Sequence, residues 1–304
     1  MTRLGAWVQA SRPLAQISVG APLVYGQALA FAAYGTFTWR LFVAAQLFGL
    51  FDQLFIVFAN DVADYPSDLH NTTHGRYSGG SRVIPEGKLS QLDLAKAATL
   101  ALFAMAAICV HLVFREQRAF MVVIAAIAAH LIWMYSFPPF RLSYRGHGEL
   151  LQGIGLGVLL PVAGFYVQAG TLSGLHPATL LPGFLLGFAA NVTAALADAP
   201  SDAASGKRSM PVRRGERGTR RIGLIVIGAA VLATPLAAPS AGIVAWGFAM
   251  AVAGAALLRA VKLSSDAESI DRVRCERFTG AALGTITIAL LCWSAALVFG
   301  VRSN

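Results

Sequence analysis

The stretch "FIVFANDVADYPSD" (residues 55–68) carries an apolar run directly into a series of aspartates, and its tail, "DYPSD" (64–68), returns as "DAPSD" (198–202) after another apolar run. Asn60, Asp64 and Asp68 recur at every fourth position, so on a helix each is turned about 40° from the one before and the three share a face. Pro66 disfavours helix at Tyr65 and removes a backbone donor, which predicts that the helix loosens there and leaves Asp68 on a frayed end or in a loop. In the second copy Asp198 and Asp202 flank Pro200, and Asn191, almost two turns earlier, projects from the same face one level deeper. Two distant segments therefore each bring carboxylates to the same depth, as facing halves of one site.

The apolar runs define the solvent that these acids border. Of 304 residues, 56% are hydrophobic and 13% charged, whereas a soluble domain is roughly 25% charged. A hydrocarbon core of roughly 30 Å needs about 20 helical residues. Runs near that length lie at 14–36, 39–59, 92–114, 119–136, 149–170, 177–198, 220–235, 241–260 and 278–300. The expectation is an all-α integral membrane protein with nine transmembrane helices, forming a single domain over 1–304. A spanning barrel would need short alternating strands instead. The first run lacks a small-residue cleavage site and continues into further spans, so it reads as a retained helix.

Basic residues orient the bundle. With a cytoplasmic N-terminus, 24 Lys and Arg divide so that only Arg40, Arg115, Arg118 and Arg302 fall on the opposite face. The positive-inside rule then predicts a multi-pass cell (inner) membrane protein whose N-terminus and acidic motifs are cytoplasmic. The net charge of +9 is concentrated on that face and serves topology and contact with anionic lipid. Neither a nucleic acid nor an obligate protein partner is expected. Cys109, Cys275 and Cys292 show no spacing that suggests disulfides or a zinc site.

Carboxylates gathered at a membrane boundary repel one another, by roughly 3 kcal/mol for two charges about 5 Å apart at an effective dielectric of about 20. A hard divalent cation offsets this, and magnesium is commonly held by a few carboxylates together with substrate phosphates. Glycine-punctuated basic segments follow each acidic motif, "GRYSGGSRVIPEGKLS" (75–90) and "SGKRSMPVRRGERG" (205–218), and a third cytoplasmic loop reads "YSFPPFRLSYRGHGEL" (135–150). Arg and Lys bind phosphate oxygens, Arg often in a two-pronged manner. Metal-binding acids and phosphate-binding bases on one face suit a diphosphate bridged by magnesium. Arg82, Arg141, Arg145, Lys207 and Arg208 are the favoured bases because they adjoin the turns and acids.

These residues resemble the UbiA superfamily of intramembrane prenyltransferases: "NDVADYPSD" (60–68), the second motif at Asp198 and Asp202, and "SRP" (11–13) before the first span. The resemblance implies a helical bundle around a lipid-accessible central cavity under a cap of cytoplasmic loops. It also implies that Asn60, Asp64, Asp68, Asp198 and Asp202 hold Mg2+ and the diphosphate of a polyprenyl donor, with Asp64 and Asp198 essential to turnover. Tyr135 and Arg141 would correspond to the family's loop tyrosine and basic residue, and Asn60, Arg82, Arg145, Asn191, Lys207 and Arg208 would contact substrate. Asp61 is expected to act beyond the metal, for instance by orienting the acceptor. The family often has a third Asp where this chain has Gly206, and an Asn where it has Ala194. The segment "GGSRVIPEG" (79–87) is most similar to the branch that prenylates 1,4-dihydroxy-2-naphthoate.

Other members of the family use 4-hydroxybenzoate, homogentisate, chlorophyllide or lipid acceptors, or cyclise a terpene. A transporter is the rival from another class, but it would place ionisable groups near the midplane at broken helices. Among smaller signals, His70 and His74 have helical metal-pair spacing but lie in a Gly-rich loop, and Gly153 with Gly157 reads as helix packing.

Overall fold

The computed structural model describes residues 2–69, 71, 75–77 and 79–300; His70 and His74 lie outside the described residues. The elements formed by the described residues are all helical. α1 (Arg3–Ala10) precedes α2 (Ala15–Tyr34), α3 (Trp39–Asp68), α4 (Gln91–Glu116) and α5 (Met121–Ser136). One long segment then comprises α6 (Gly148–Ile154), a π-helical turn (Gly155–Leu159) and α7 (Leu160–Ala169). Next come α8 (Leu180–Ala194), a 3-10 turn (Ala195–Asp198), α9 (Ala199–Ala204), α10 (Met210–Leu232), α11 (Thr234–Ala237), α12 (Ile243–Leu263) and α13 (Arg272–Phe299).

Among the described residues, seven helical segments are long and apolar enough to cross a membrane. Two expected spans differ from these for physical reasons. α5 has 16 residues, about 24 Å at 1.5 Å per residue. α10 is kinked at Gly215 (φ 70°, ψ 161°), and Arg213, Arg214, Arg217, Arg220 and Arg221 fill its first turns, so only its last eleven residues, 222–232, form an uncharged apolar run.

Local chemistry fixes several ends. Ser90 and Asp93 form a reciprocal capping box at the start of α4. α2 ends at Gly35 in the left-handed conformation (φ 66°). The expected loosening at Pro66 does not occur, and α3 continues to Asp68. Proline deprives the Val62 carbonyl of its helical donor, and Gln91 Nε2 supplies the missing hydrogen bond at 3.0 Å. Asp68 is therefore presented by an ordered helical turn.

The bundle packs around two large clusters. One joins α2, α8, α10, α12 and α13 around Tyr25 and Trp293, and the other joins α2 to α5 and α7 around Phe48 and Tyr166. Gly157 faces the main chain of Gly183 so closely that a Cβ there would overlap the carbonyl, in keeping with close helix packing by small residues. Apolar side chains such as Phe103, Phe114, Val244 and Phe248 point outward, as a lipid-facing surface requires. α1 clasps the loop after α3, since Gln9 Nε2 donates to Ser81 O at 2.7 Å and Lys88 Nζ donates to Gln9 Oε1 at 2.8 Å.

Candidate active site

The ends of α3 and α9 meet at one face of the bundle around a cavity of about 170 Å³. Asn60, Asp64, Asp68, Asn191, Asp198 and Asp202 all line it, together with Tyr135 and Lys207. The two acidic motifs, distant in sequence, thus share one wall. Lys207 Nζ lies 3.9 Å from Asp64 Oδ2 and 3.6 Å from Asp202 Oδ1, bridging the two helices electrostatically. Burial alone would push this ammonium down, but Asp64 and Asp202, helped by Tyr135 and Asp198, outweigh burial and hold it well above the usual lysine range.

The turn that delivers Lys207 depends on Gly206, whose φ of 73° is left-handed. α9 ends there, and the Lys207 N–H returns to the Asp202 carbonyl at 2.8 Å. Glycine after a helix end adopts this conformation without the Cβ penalty that an aspartate would meet. The departure from the family's pattern therefore has a local structural use.

Neighbouring hydrogen bonds aim the acids. Tyr144 OH donates to Asp64 Oδ1 at 3.0 Å, and Asn71 Nδ2 donates to Asp198 Oδ1 at 3.2 Å. Burial, then the adjacent Asp64 carboxylate, raises the Tyr144 phenol above its ordinary value and keeps it a donor. Asn191 Nδ2 donates to Tyr135 OH at 3.1 Å and to Gln152 Oε1 at 2.8 Å. Asn60 Oδ1 accepts from Ser136 Oγ at 3.0 Å.

The remaining sequence candidates lie apart from this wall. Asp61 is buried behind it, ion-paired with Arg12 and hydrogen-bonded to Ser81 Oγ and, at 3.2 Å, to Ser81 N. Arg82 donates to the Asp68 carbonyl, so it supports the motif's main chain. Arg141 stacks over the Tyr144 ring at 3.9 Å. Arg145 is exposed and donates to Pro139 O at 2.9 Å, whereas Arg208 is exposed and only its main-chain N–H bonds Tyr144 O, at 3.0 Å. Arg12, Arg82 and Arg141 all have positive φ (43°, 67° and 41°), an uncommon conformation for bulky residues that surrounding contacts must hold.

Beneath the acidic cavity lies a second one of about 260 Å³. Arg12, Asn60, Tyr135 and Gln152 line both, forming the boundary between them. Leu131, Ile132, Leu156, Leu159 and Leu160 make the lower walls mainly apolar, but Asp52 and Gln53 also face it. Sequence reasoning passed over Arg12, Asn71, Tyr144, Gln152 and Asp52. The signal for Asp52 was available, as a lone acid inside an apolar run.

Among the described residues no three carboxylate, imidazole or thiol side chains converge tightly enough to hold an ion by themselves. The oxygen ligands facing the cavity include the carboxylates of Asp64, Asp68, Asp198 and Asp202. This set fits magnesium, which prefers oxygen and completes its shell with water and substrate phosphates instead of a closed protein cage. Asp64 and Asp68 from one side, and Asp198 and Asp202 from the other, are the residues that would hold it.

The profile of the UbiA prenyltransferase family matches residues 19–283. A 1,4-dihydroxy-2-naphthoate octaprenyltransferase of Mycobacterium tuberculosis (strain ATCC 25618 / H37Rv) is 25% identical over 263 residues, covering 84% of this chain and 87% of that relative. The apo structure of a UbiA homologue from Aeropyrum pernix K1 has a TM-score of 0.68 at 16% identity, covering 91% of this chain and 96% of its own. A UbiA homologue from Archaeoglobus fulgidus bound to DMAPP and Mg2+ has a TM-score of 0.67 at 16% identity, covering 96% and 99% respectively. These two structures speak to the fold, and the profile match speaks to the family. Extending over most of the chain and both acidic motifs, it makes this protein a prenyltransferase belonging to the UbiA family.

Proposed function

We propose that the protein transfers a prenyl group from an allylic polyprenyl diphosphate to an aromatic acceptor in a magnesium-dependent reaction, and that the acceptor is a 1,4-dihydroxy-2-naphthoate-like ring of quinone biosynthesis. The observation that carries this reading is the shared cavity of Asp64, Asp68, Asp198, Asp202 and Lys207, which adjoins an apolar cavity across Asn60 and Tyr135. The Mycobacterium tuberculosis relative supports the naphthoate acceptor, and the Archaeoglobus fulgidus neighbour supports magnesium and a prenyl diphosphate. In this reading α5 and the apolar half of α10 also cross the bilayer, giving nine spans. The N-terminus and the acidic cavity face the cytoplasm of the cell (inner) membrane, under a cap formed by the loops.

Bound magnesium would neutralise diphosphate charge and stabilise the leaving group. The chain's own residues do the rest. Lys207 holds a permanent positive charge beside the departing oxygens, an arrangement that stabilises charge as it develops. Tyr144 and Asn71 fix the carboxylates they bond, so the cradle needs little reorganisation. Asn191, Tyr135 and Gln152 form a hydrogen-bonded floor between the polar head and the apolar tail. The lower cavity keeps water from the allylic cation until the ring attacks, and loss of the ring proton then restores aromaticity. Asp61, locked to Arg12 and Ser81, secures α3 to the N-terminal segment and thereby sets where the motif points.

The test uses purified protein with magnesium, labelled geranyl and longer polyprenyl diphosphates, and a panel containing 1,4-dihydroxy-2-naphthoate, 4-hydroxybenzoate and homogentisate. A prenylated naphthoate product identified by mass, abolished by EDTA, is expected. Diphosphate release with no aromatic product would favour a cyclase, and no release at all would refute the reading.

A further inference from the structure

The lower cavity is not uniformly suited to hydrocarbon. Asp52 projects from the middle of α3 into its wall with 3% exposure, and its Oδ1 has no hydrogen-bond partner. Gln53 beside it is 6% exposed and lines the same cavity. Burying a carboxylate oxygen without a partner is strongly unfavourable. Acids inside membrane-spanning helices are accordingly rare and serve function when they face an interior cavity.

The chemistry of the candidate occupants decides which one meets Asp52. The diphosphate is excluded, because when ionised it has no donor to offer a carboxylate and because Asp52 lies eight residues below Asn60, about 12 Å along the helix. The prenyl tail has no donor to offer a carboxylate and is matched by the leucine-lined wall. An electron-rich aromatic acceptor has what is missing, since its ring hydroxyls are hydrogen-bond donors. A hydroxyl that donates to a carboxylate also pushes electron density into the ring and makes its carbon more nucleophilic.

Resting on the prenyl-transfer reading above, we propose that Asp52 is the acceptor-recognition residue, its carboxylate accepting a hydrogen bond from a ring hydroxyl of the aromatic acceptor in the cavity below Asn60 and Tyr135. Asp52 is thereby a specificity determinant. A site built to bond a hydroxyl discriminates strongly against an analogue that lacks it, because its own polar group is left unpaired.

The experiment compares wild type, Asp52→Asn and Asp52→Ala in detergent with magnesium and labelled geranyl diphosphate. The acceptors are 1,4-dihydroxy-2-naphthoate and each of its mono-O-methyl ethers. Wild type is expected to prefer the free dihydroxy ring over at least one ether by about tenfold or more in kcat/KM, the lower range for a hydrogen bond to a charged group. Asp52→Ala is expected to erase that preference through the acceptor KM while the geranyl diphosphate KM stays within about twofold. Asp52→Asn keeps an accepting oxygen and should restore part of the preference. A second measurement needs no turnover: Asp52→Leu should melt at or above the wild-type temperature, because it removes an unpaired buried acid. An unchanged preference in Asp52→Ala, an equal rise in both KM values, or a lower melting temperature for Asp52→Leu overturns the proposal. Failure of wild type to prenylate any hydroxylated ring overturns the functional reading as well, so the two failures are distinguishable.

Discussion

Replacing Lys207 with methionine removes the cation that lies between Asp64 and Asp202 while keeping most of the side-chain volume. The two separations are 3.9 and 3.6 Å, and the lysine side chain is 17% exposed. Each contact is worth up to about 4 kcal/mol at an effective dielectric of about 20, before the cost of desolvating the ions is subtracted. Breaking a buried pair by deleting one partner costs about 3–5 kcal/mol, since the other charge is left uncompensated. Here two carboxylates are left, and they repel Asp68 and Asp198 as well. The expected result in detergent is a melting temperature several degrees below wild type in EDTA. Magnesium with pyrophosphate should recover a larger share of the stability in the variant than in wild type, because the variant has more negative charge to neutralise. kcat should fall by about two orders of magnitude, the usual effect of deleting one donor to developing charge. Equal melting temperatures in EDTA, or an identical loss with and without magnesium pyrophosphate, would refute the view that Lys207 and the metal share one electrostatic task.

Other predictions bear on the framework around that lysine. Asp64→Ala or Asp198→Ala should abolish product formation while the protein still inserts and purifies as a folded bundle; wild-type turnover in either variant sinks the metal-site reading. Gln91→Leu leaves the Val62 carbonyl without its donor at 3.0 Å, at a cost of about 0.5–1.5 kcal/mol because the bond is exposed. Faster hydrogen exchange confined to residues 62–68 is the expected sign, and unchanged exchange there would show that Pro66 is tolerated without help. Arg12→Met should destabilise the protein by about 3–5 kcal/mol by stranding Asp61. Adding Asp61→Leu should recover part of that loss in a double-mutant cycle, and simple additivity of the two substitutions would count against coupling.

Much of the site was legible because its spacing is helical. Asn60, Asp64 and Asp68 recur every fourth residue, and they do share a cavity wall with Asp198 and Asp202. The apolar runs likewise correspond to the helices, since few helices of that composition can exist outside lipid. What could not be read was whatever depends on contacts between distant segments. Nothing local shows that Gln91 completes α3 across Pro66, or that Arg12 reaches Asp61 from the N-terminal segment. The basic loop residues misled for a related reason: proximity in sequence to an acidic motif says little about where a long side chain goes. Arg141 turns onto Tyr144 and Arg145 onto Pro139 O, while Lys207 alone of the five favoured bases lines the cavity.

The division of labour between the cavities follows from where charge is tolerable in a bilayer. Of the four aspartates at the end of the bundle, Asp64 and Asp202 are paired with Lys207 and Asp198 is hydrogen-bonded to Asn71, and a cation carrying its own water would offset the repulsion that remains among them. One helical stretch deeper, Asp52 has no such cation beside it among the described residues, and its Oδ1 is without a hydrogen-bond partner. Asn60, Tyr135 and Gln152 occupy the level between, where groups that are polar but uncharged can bond one another, as Asn191 does with Tyr135 and Gln152. A bond that breaks into an anion above and a cation below is placed at that level by the gradient itself. In the proposed reaction the anion leaves toward Lys207, and the carbon it abandons faces the leucine-lined lower cavity.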